Sequence, residues 1–323
     1  MIEHGKIVEA GGREFLLRVE TSDQPSDYLM YEDLRNEVWG FPEDHMSGTR
    51  NMMCESFLHE GGSLFIGAFA RGEKGGFPVD SGHLAAFCYG FVGVRDKEVG
   101  FRDPANLRFY SQFAAVRRRY QGLGLGIRLK EFQGETVLGL LGVGTVICTY
   151  DPLTAVNAHR NVRHFGMEVL EYRVATYGEY GGHLNRLDVP TDRFLMSWDL
   201  AGKPAGASWA ADAVPRVAGL AVQTGTRRVK GRSGELELEV VEAVELDRPG
   251  KTVRVPVPSD FYLMLRETDV EDPDVRRIPL DWRAATRRAF MTLFERGFRV
   301  VDFRRPGAEG PGDGYVLMKE GLP

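Results

Sequence analysis

The residues with the clearest chemical potential lie between positions 111 and 130, in the run Ser-Gln-Phe-Ala-Ala-Val-Arg-Arg-Arg-Tyr-Gln-Gly-Leu-Gly-Leu-Gly-Ile-Arg-Leu-Lys. Gly122, Gly124 and Gly126 alternate where a helical pattern opens. Glycine lets successive backbone N–H groups turn toward one point and leaves no Cβ in a ligand's path. Amides gathered at a helix N-terminus, with the positive end of the helix dipole behind them, attract anions. The stretch reads as a phosphate cradle, and Arg117, Arg118 and Arg119 just before it could pair with further phosphates. A glycine-rich strand–helix turn without a ligand is the plain alternative.

Two common phosphate-loop patterns do not fit these glycines. A P-loop needs Gly-Lys-Ser/Thr, and Gly126 is followed by Ile127 and Arg128. A dinucleotide fingerprint needs G-x-G-x-x-G and an acidic strand end about 20 residues on, and neither is present. What fits is Gln121-x-x-Gly124-x-Gly126 after a strand ending at Val116. This resembles the acetyl-CoA pyrophosphate loop (Q/R-x-x-G-x-G/A) of the GCN5-related N-acetyltransferase superfamily. The resemblance implies acetyl-CoA as co-substrate and no metal. It places the cofactor on Val116, Arg117, Gln121, Gly122, Leu123, Gly124, Leu125 and Gly126, with Asn157 near the start of a later helix. A nucleotide-binding module built on the same glycines is the weaker reading, because its lysine or acid is missing.

Elements must position that loop, and the sequence supplies them in order. Arg13–Glu20 reads as a strand, and Asp27–Trp39 as a helix with Leu29, Met30, Leu34 and Val38 at helical spacing, stopped by Gly40-Phe41-Pro42. Met52–Leu58 reads as a short helix. Ser63–Ala70 and His83–Val94 form an antiparallel pair across a long glycine-rich loop, and Leu107–Val116 runs into the glycines. The helix after them shows Leu125, Leu129, Phe132, Thr136 and Leu140 on one stripe. Thr145–Tyr150 is the next strand. Asp151-Pro152 then opens a helix with Ala155, Ala158, Val162 and Phe165 on one face and Gly166 at its end. Met167–Thr176 and Arg193–Trp198 are the last strands of this part.

The order over residues 13–200 is similar to that of the acetyltransferase superfamily, and the fold class expected is α/β of the α+β type, with a mixed, mostly antiparallel sheet flanked by helices. Ala201–Pro215 reads as a Gly/Ala/Pro-rich linker after a domain spanning 1–200. Residues 216–323 read as a smaller α+β domain. Its strands are Glu235–Val244, Thr252–Pro256, Val300–Phe303 and Tyr315–Met318, and its helix is capped by Asp281 and closed by Gly297. That helix carries Trp282, Ala285, Ala289 and Leu293 on one side; with its closing glycine and following strand it echoes residues 151–176, and a degenerate half-repeat of the first domain is one alternative beside an unrelated α+β unit.

Composition sets outer bounds. The chain has 323 residues, 43% hydrophobic and 27% charged, values of a globular protein with a sizeable core. A net charge of −5 argues against generic nucleic-acid binding, and no apolar run approaches a membrane span. The N-terminus lacks the apolar core of a signal peptide. Cys54, Cys88 and Cys148 lie far apart in apolar stretches and read as reduced thiols with no metal spacing. The expectation is a cytoplasmic protein with neither nucleic-acid nor membrane partner. A homodimer is compatible with the resemblance.

The resemblance implies direct attack of an amine on the acetyl-CoA thioester, with a small-molecule or peptide amine as acceptor. Several family members carry a Glu or His on the strand before the loop, at positions occupied here by Gln112 and Tyr110, which simple alternation puts on the face of Val116. Neither is a base near neutral pH. Glu37, Asp44 and His45 are candidate bases near the early helices. The family's helix tyrosine falls on Val162, so Tyr150 and Tyr110 stand in as candidate donors to the leaving thiolate. The alternative function is a non-catalytic acyl-CoA-binding regulatory or scaffold protein. No motif names the acceptor.

Overall fold

The computed structural model describes residues 5–22, 24–40, 62–178, 181–202, 219–247, 250–306 and 312–319. It divides into two compact units, Met1–Cys148 with Asp199–Ala201, and Thr149–Trp198 with Gly202–Pro323. The expected helix Met52–Leu58, Cys54, Asp44 and His45 lie outside the described residues, as does most of the expected linker.

Unit 1 is a mixed sheet with a helix on each face. Its strands are β1 (Gly5–Ala10), β2 (Arg13–Val19), β3 (Ser63–Ala70), β4 (Leu84–Val94), β5 (Leu107–Val116) and β6 (Thr145–Tyr150), the last of which leads into unit 2. They pair in sequence order, antiparallel except for the parallel pair β5 and β6. β1 is absent from the sequence-based order because only Ala10 of its residues is buried, so it shows no core-facing alternation. Six successive residues of β3, Leu64 to Phe69, are buried, as expected of a strand covered on both faces.

Helix α1 (Leu29–Trp39) covers one face. Tyr28, Tyr31 and Leu34 pack on Phe65, Phe69, Phe87, Tyr89 and Ala115 in one cluster, with Trp39 against Phe113 at 4.6 Å. Gly40 ends the helix in a left-handed conformation (φ 60°), and its N–H bonds Asn36 O at 2.9 Å. Helix α2 (Leu125–Leu141) covers the other face. Its buried stripe is Leu125, Leu129, Phe132, Gln133, Thr136 and Val137; Leu140, expected on it, is 48% exposed because the stripe drifts to Val137 in the last turn.

In unit 2, α3 (Ala155–Ala158) continues as a π-helical turn, His159–His164. Ala155, Ala158, Val162 and Phe165 are all buried, as their spacing predicts. β7 (Glu168–Arg173) and β8 (Arg193–Asp199) pair antiparallel. Strands β9 (Gly219–Leu220), β12 (Thr252–Pro256), β13 (Phe298–Arg304) and β14 (Gly314–Lys319) form a sheet in the order β13-β14-β12-β9. β10 (Val222–Gly231) and β11 (Gly234–Val244) form a hairpin. Helices α4 (Phe261–Glu267), α5 (Pro273–Arg276) and α6 (Ile278–Glu295) complete the unit. Helix α6 starts at Ile278 with Pro279 in its first turn, so Asp281 is not the cap; it pairs instead with Arg277 one turn back, at 3.2 Å.

Unit 2 joins Thr149–Trp198 to the C-terminal chain, and hydrogen bonds to buried acceptors link the two. Arg287 on α6 donates two hydrogen bonds to Asp192, at 2.7 and 2.8 Å, and Arg163 reaches both oxygens of Asp302 at 3.0 and 3.1 Å. Arg186 donates to Thr268 Oγ1 at 2.9 Å. These bonds pass between segments that lie on either side of residues 201–215.

Candidate functional site

The end of β5 is shaped by a bulge. Phe113 faces Tyr89 and Ser111 faces Gly90, which leaves Gln112 as the extra residue of the strand. The bulge breaks the simple alternation. Phe113 and Ala115 face α1, Tyr110 packs edge-on against Phe91 at 5.6 Å on that same face, and Val116 points the other way. Tyr110 and Val116 therefore do not share a face, contrary to the count from sequence. Gln112 is exposed. On the α2 side, Ser111 Oγ donates to the buried Gln133 Oε1 at 2.8 Å.

β5 is also open along one edge. Its parallel pairing with β6 is limited to Phe109↔Val146 and Tyr110↔Ile147. From Ser111 to Val116 that edge has no strand partner among the described residues, while the opposite edge stays paired to β4 as far as Val116↔Ala86. An extended ligand could hydrogen-bond there as a strand would.

The chain then turns through Arg118–Tyr120 into the glycines. Gly122 and Gly124 have φ of 78° and 83°, the left-handed region, which swings the amides between them outward. Helix α2 has Gly124 as its N-cap with no side-chain cap. Gly124 O accepts from Ile127 N at 3.0 Å and Arg128 N at 3.3 Å, but among the described residues nothing accepts from the N–H groups of Gly122, Leu123, Gly124, Leu125 or Gly126. A Cβ built on Gly122 or Gly124 would meet nothing within 4 Å. The amides line open space.

Gln121 ties this loop to its strand. Its Nε2 donates to Val116 O at 2.9 Å, so the side chain braces the glycines and occupies the last carbonyl of β5. Two arginines act as braces too. Arg117 donates to Ser81 O at 2.9 Å and forms an ion pair with Glu37 at 3.2 Å; Arg119 donates to Gly82 O at 2.6 Å. Both hold the long β3–β4 loop beside the glycines. Arg118 is exposed. Glu37, a candidate base, is thus the counter-charge of Arg117.

In unit 2, Asn157 and Tyr150 are already engaged. Asn157 donates to Thr154 Oγ1 at 3.1 Å and accepts from Arg160 Nη2 at 2.9 Å. Tyr150 is 6% exposed, its hydroxyl 3.0 Å from that of Tyr315, which donates in turn to Pro152 O at 2.7 Å. Tyr150 belongs to the core of unit 2.

Two further residues near these elements carry no mark in the local sequence pattern. Tyr120, two residues before the first of these glycines, is buried edge-on to Phe15 at 5.5 Å, with Arg119 over its ring at 4.9 Å and Arg13 at 5.9 Å. The Gly11-Gly12 turn before Arg13 was the one available signal. Tyr177, half exposed, shares a 2.6 Å hydrogen bond with Thr149 Oγ1 and lies under the Arg193 guanidinium at 5.3 Å. It comes from a loop with no periodicity, so nothing in the sequence marks it.

The fold and this site define a mixed α+β sheet in which a glycine turn with outward-facing amides joins a strand to a helix, the element order expected from sequence. No family model matches the sequence, and no curated protein does. Among solved structures the chain is similar to the ribosomal-protein-S18-alanine N-acetyltransferase from Escherichia coli, at 16% identity over 58% of this chain and 96% of that one, with a TM-score of 0.40. It is similar to the ribosomal-protein-S5-alanine acetyltransferase from Vibrio fischeri (12% identity, 62% and 99% covered, TM-score 0.42). It is also similar to NAA60 from Arabidopsis thaliana, solved with a bisubstrate analogue (14%, 58% and 99%, TM-score 0.43). Likeness at this distance assigns neither an activity nor an acceptor.

Proposed function

We propose that this chain transfers an acetyl or related acyl group from acetyl-CoA to an amine by direct attack in a ternary complex. The observation that carries the reading is the run of uncommitted amides from Gly122 to Gly126, braced by Gln121 at the end of a strand whose edge from Ser111 to Val116 is open. The cradle suits a pyrophosphate, and the open edge suits an amide-bearing arm that pairs as a strand. CoA has both, joined in that order.

In this reading the neutral amine attacks the thioester carbon, a C–N bond forms, and the C–S bond breaks with its electron pair left on sulfur. The amine proton passes to water, since Gln112 and Tyr110 are not bases near neutral pH. Holding donor and acceptor in line supplies several kcal/mol of the barrier. Gln112, exposed on the bulge, is the side chain nearest in sequence to the open edge that can donate to the thioester oxygen.

A second reading has its own support: Tyr150 is locked in the core of unit 2, and Gln112 cannot titrate. On that reading the chain binds acyl-CoA without turnover. Calorimetry with acetyl-CoA, ATP and NAD, followed by thiol release over a panel of amines, separates the two. Selective acetyl-CoA binding with release of CoA on some amine supports transfer. Binding without release on any amine supports the second reading, and no acetyl-CoA binding sinks both.

A further inference from the structure

We propose that the tip of the N-terminal hairpin belongs to the cofactor site, and that Arg13 reads a phosphomonoester, the 3′-phosphate of CoA, beyond the pyrophosphate held by the glycine loop. This rests on the CoA reading above.

The hairpin is built to present Arg13 at that place. Gly11 and Gly12 have φ of 55° and 71°, the pair of left-handed residues that a two-residue type I′ turn requires, and the closing pair is Ala10↔Arg13. The register then fixes which side chains share a face. Arg13 and Phe15 stand two apart on β2, and both reach Tyr120, the buried ring that leads into the loop. The turn itself rests on the loop: a Cβ on Gly11 would come 2.6 Å from Leu123 Cδ2, and Leu123 lies between Gly122 and Gly124. The hairpin thus touches the loop at Leu123 and the ring of Tyr120 just before it, all within unit 1.

The charges around that group are unevenly spent. Lys6 pairs with Glu135 at 2.9 Å, Arg128 with Glu131 at 3.0 Å, Arg117 with Glu37 at 3.2 Å, and Arg71 with Glu14. Glu14, the acid next to Arg13 in sequence, is therefore taken. Arg13 is exposed and has no carboxylate partner among the described residues; its guanidinium lies only over the Tyr120 ring. A guanidinium held in place by an aromatic face, with all its N–H donors still open, is preorganised for a bidentate anion. The pyrophosphate takes the amides, so the charge left for Arg13 is a second, separate phosphate. In CoA that group is the 3′-phosphate, close to dianionic at neutral pH.

The test is calorimetry on the full chain at fixed salt with CoA and 3′-dephospho-CoA, for the wild type and for Arg13→Gln. The wild type is expected to bind CoA about tenfold or more tightly than the dephospho form, as one charge-assisted pair supplies. Arg13→Gln should bring the ratio to within roughly threefold by weakening CoA alone. An unchanged ratio in a folded Arg13→Gln protein overturns the proposal. Equal weakening of both ligands overturns it as well, and reduces Arg13 to a support for Tyr120. Binding of neither ligand to the wild type removes the CoA reading and this proposal together, a result distinct from the other two.

Discussion

Arg283 donates both terminal guanidinium nitrogens to Asp151, one at 2.8 Å, across 132 positions of sequence and with both side chains buried. Asp151 follows β6 directly, and Arg283 lies on α6 near the other end of the chain. Arg193 adds a longer contact at 3.4 Å, and Leu153 N–H donates at 2.9 Å. One carboxylate therefore gathers the entry to α3, the start of β8 and a C-terminal helix. The arrangement makes unit 2 depend on both halves of its chain.

Removing one partner of a buried pair leaves the other charge unsolvated, at a cost of about 3–5 kcal/mol. Arg283→Met should therefore lower Tm by about 5 °C or more. Adding Asp151→Leu should recover much of the loss, because the stranded charge goes with it. A Tm within a degree of wild type for the single variant would show that the pair is not part of the stable core.

The same carboxylate sets an acid limit. Burial alone would raise the Asp151 pKa, but the charge and hydrogen bonds of Arg283, then Arg193, outweigh it and hold the carboxyl below its ordinary value. The unfolded chain thus binds the proton more readily than the folded one. The contribution is present above the unfolded pKa near 3.9 and is lost as pH falls through the lower folded value. Urea midpoints should be flat in this respect from neutral pH to about 5 and fall below about 4. An Asp151→Asn protein, already destabilised, should show a shallower fall.

Gly124 has φ of 83°, and a Cβ there would project into open space rather than into the protein. Gly124→Ala should fold with a loss of about 1–2 kcal/mol from the left-handed backbone. Under the proposed function its acetyl-CoA affinity should drop by about tenfold or more, since the methyl would stand where phosphate oxygens are proposed to approach the amides. Calorimetry at a temperature well below Tm checks this, and full affinity would place the ligand elsewhere.

Tyr150 and Gln112 should separate stability from turnover. Tyr150→Phe removes the buried hydrogen bond to Tyr315 and should cost about 1 kcal/mol while kcat on a good amine stays within twofold. Gln112→Ala should leave Tm unchanged and lower kcat by about tenfold, on the order of 1.4 kcal/mol, with little change in KM. The reverse pattern, in thiol-release kinetics and thermal melts, would return the chemistry to Tyr150.

Much of unit 1 was legible because its strands and helices carry strong periodicity. β3, β4, β5 and the stripe of α2 follow from apolar spacing, and the glycine loop from residue type alone. β1 and β10 were not legible: half of the residues of each are exposed and few are buried, which leaves no regular alternation to count. The bulge at Gln112 was hidden as well. A bulge is a mismatch between two strands, and neither strand records it alone, so Tyr110 was assigned to the wrong face.

The sequence by itself determined the nature of the loop, because left-handed backbone and free amides are properties of Gly122 and Gly124 and of a helix that begins without a side-chain cap. Only the tertiary structure decided which neighbours serve it. Asp151, Tyr150, Arg117 and Glu37 each read as candidates for a site or a cap. Long-range partners, absent from local spacing, turned Asp151 and Tyr150 into core and Arg117 and Glu37 into a brace. The same long-range packing brought Arg13, more than 100 residues upstream of the glycines, onto Tyr120. Charge and hydrogen-bond capacity are written in residue types, but which of them remain unspent depends on contacts between distant segments, and those exist only once the chain has folded.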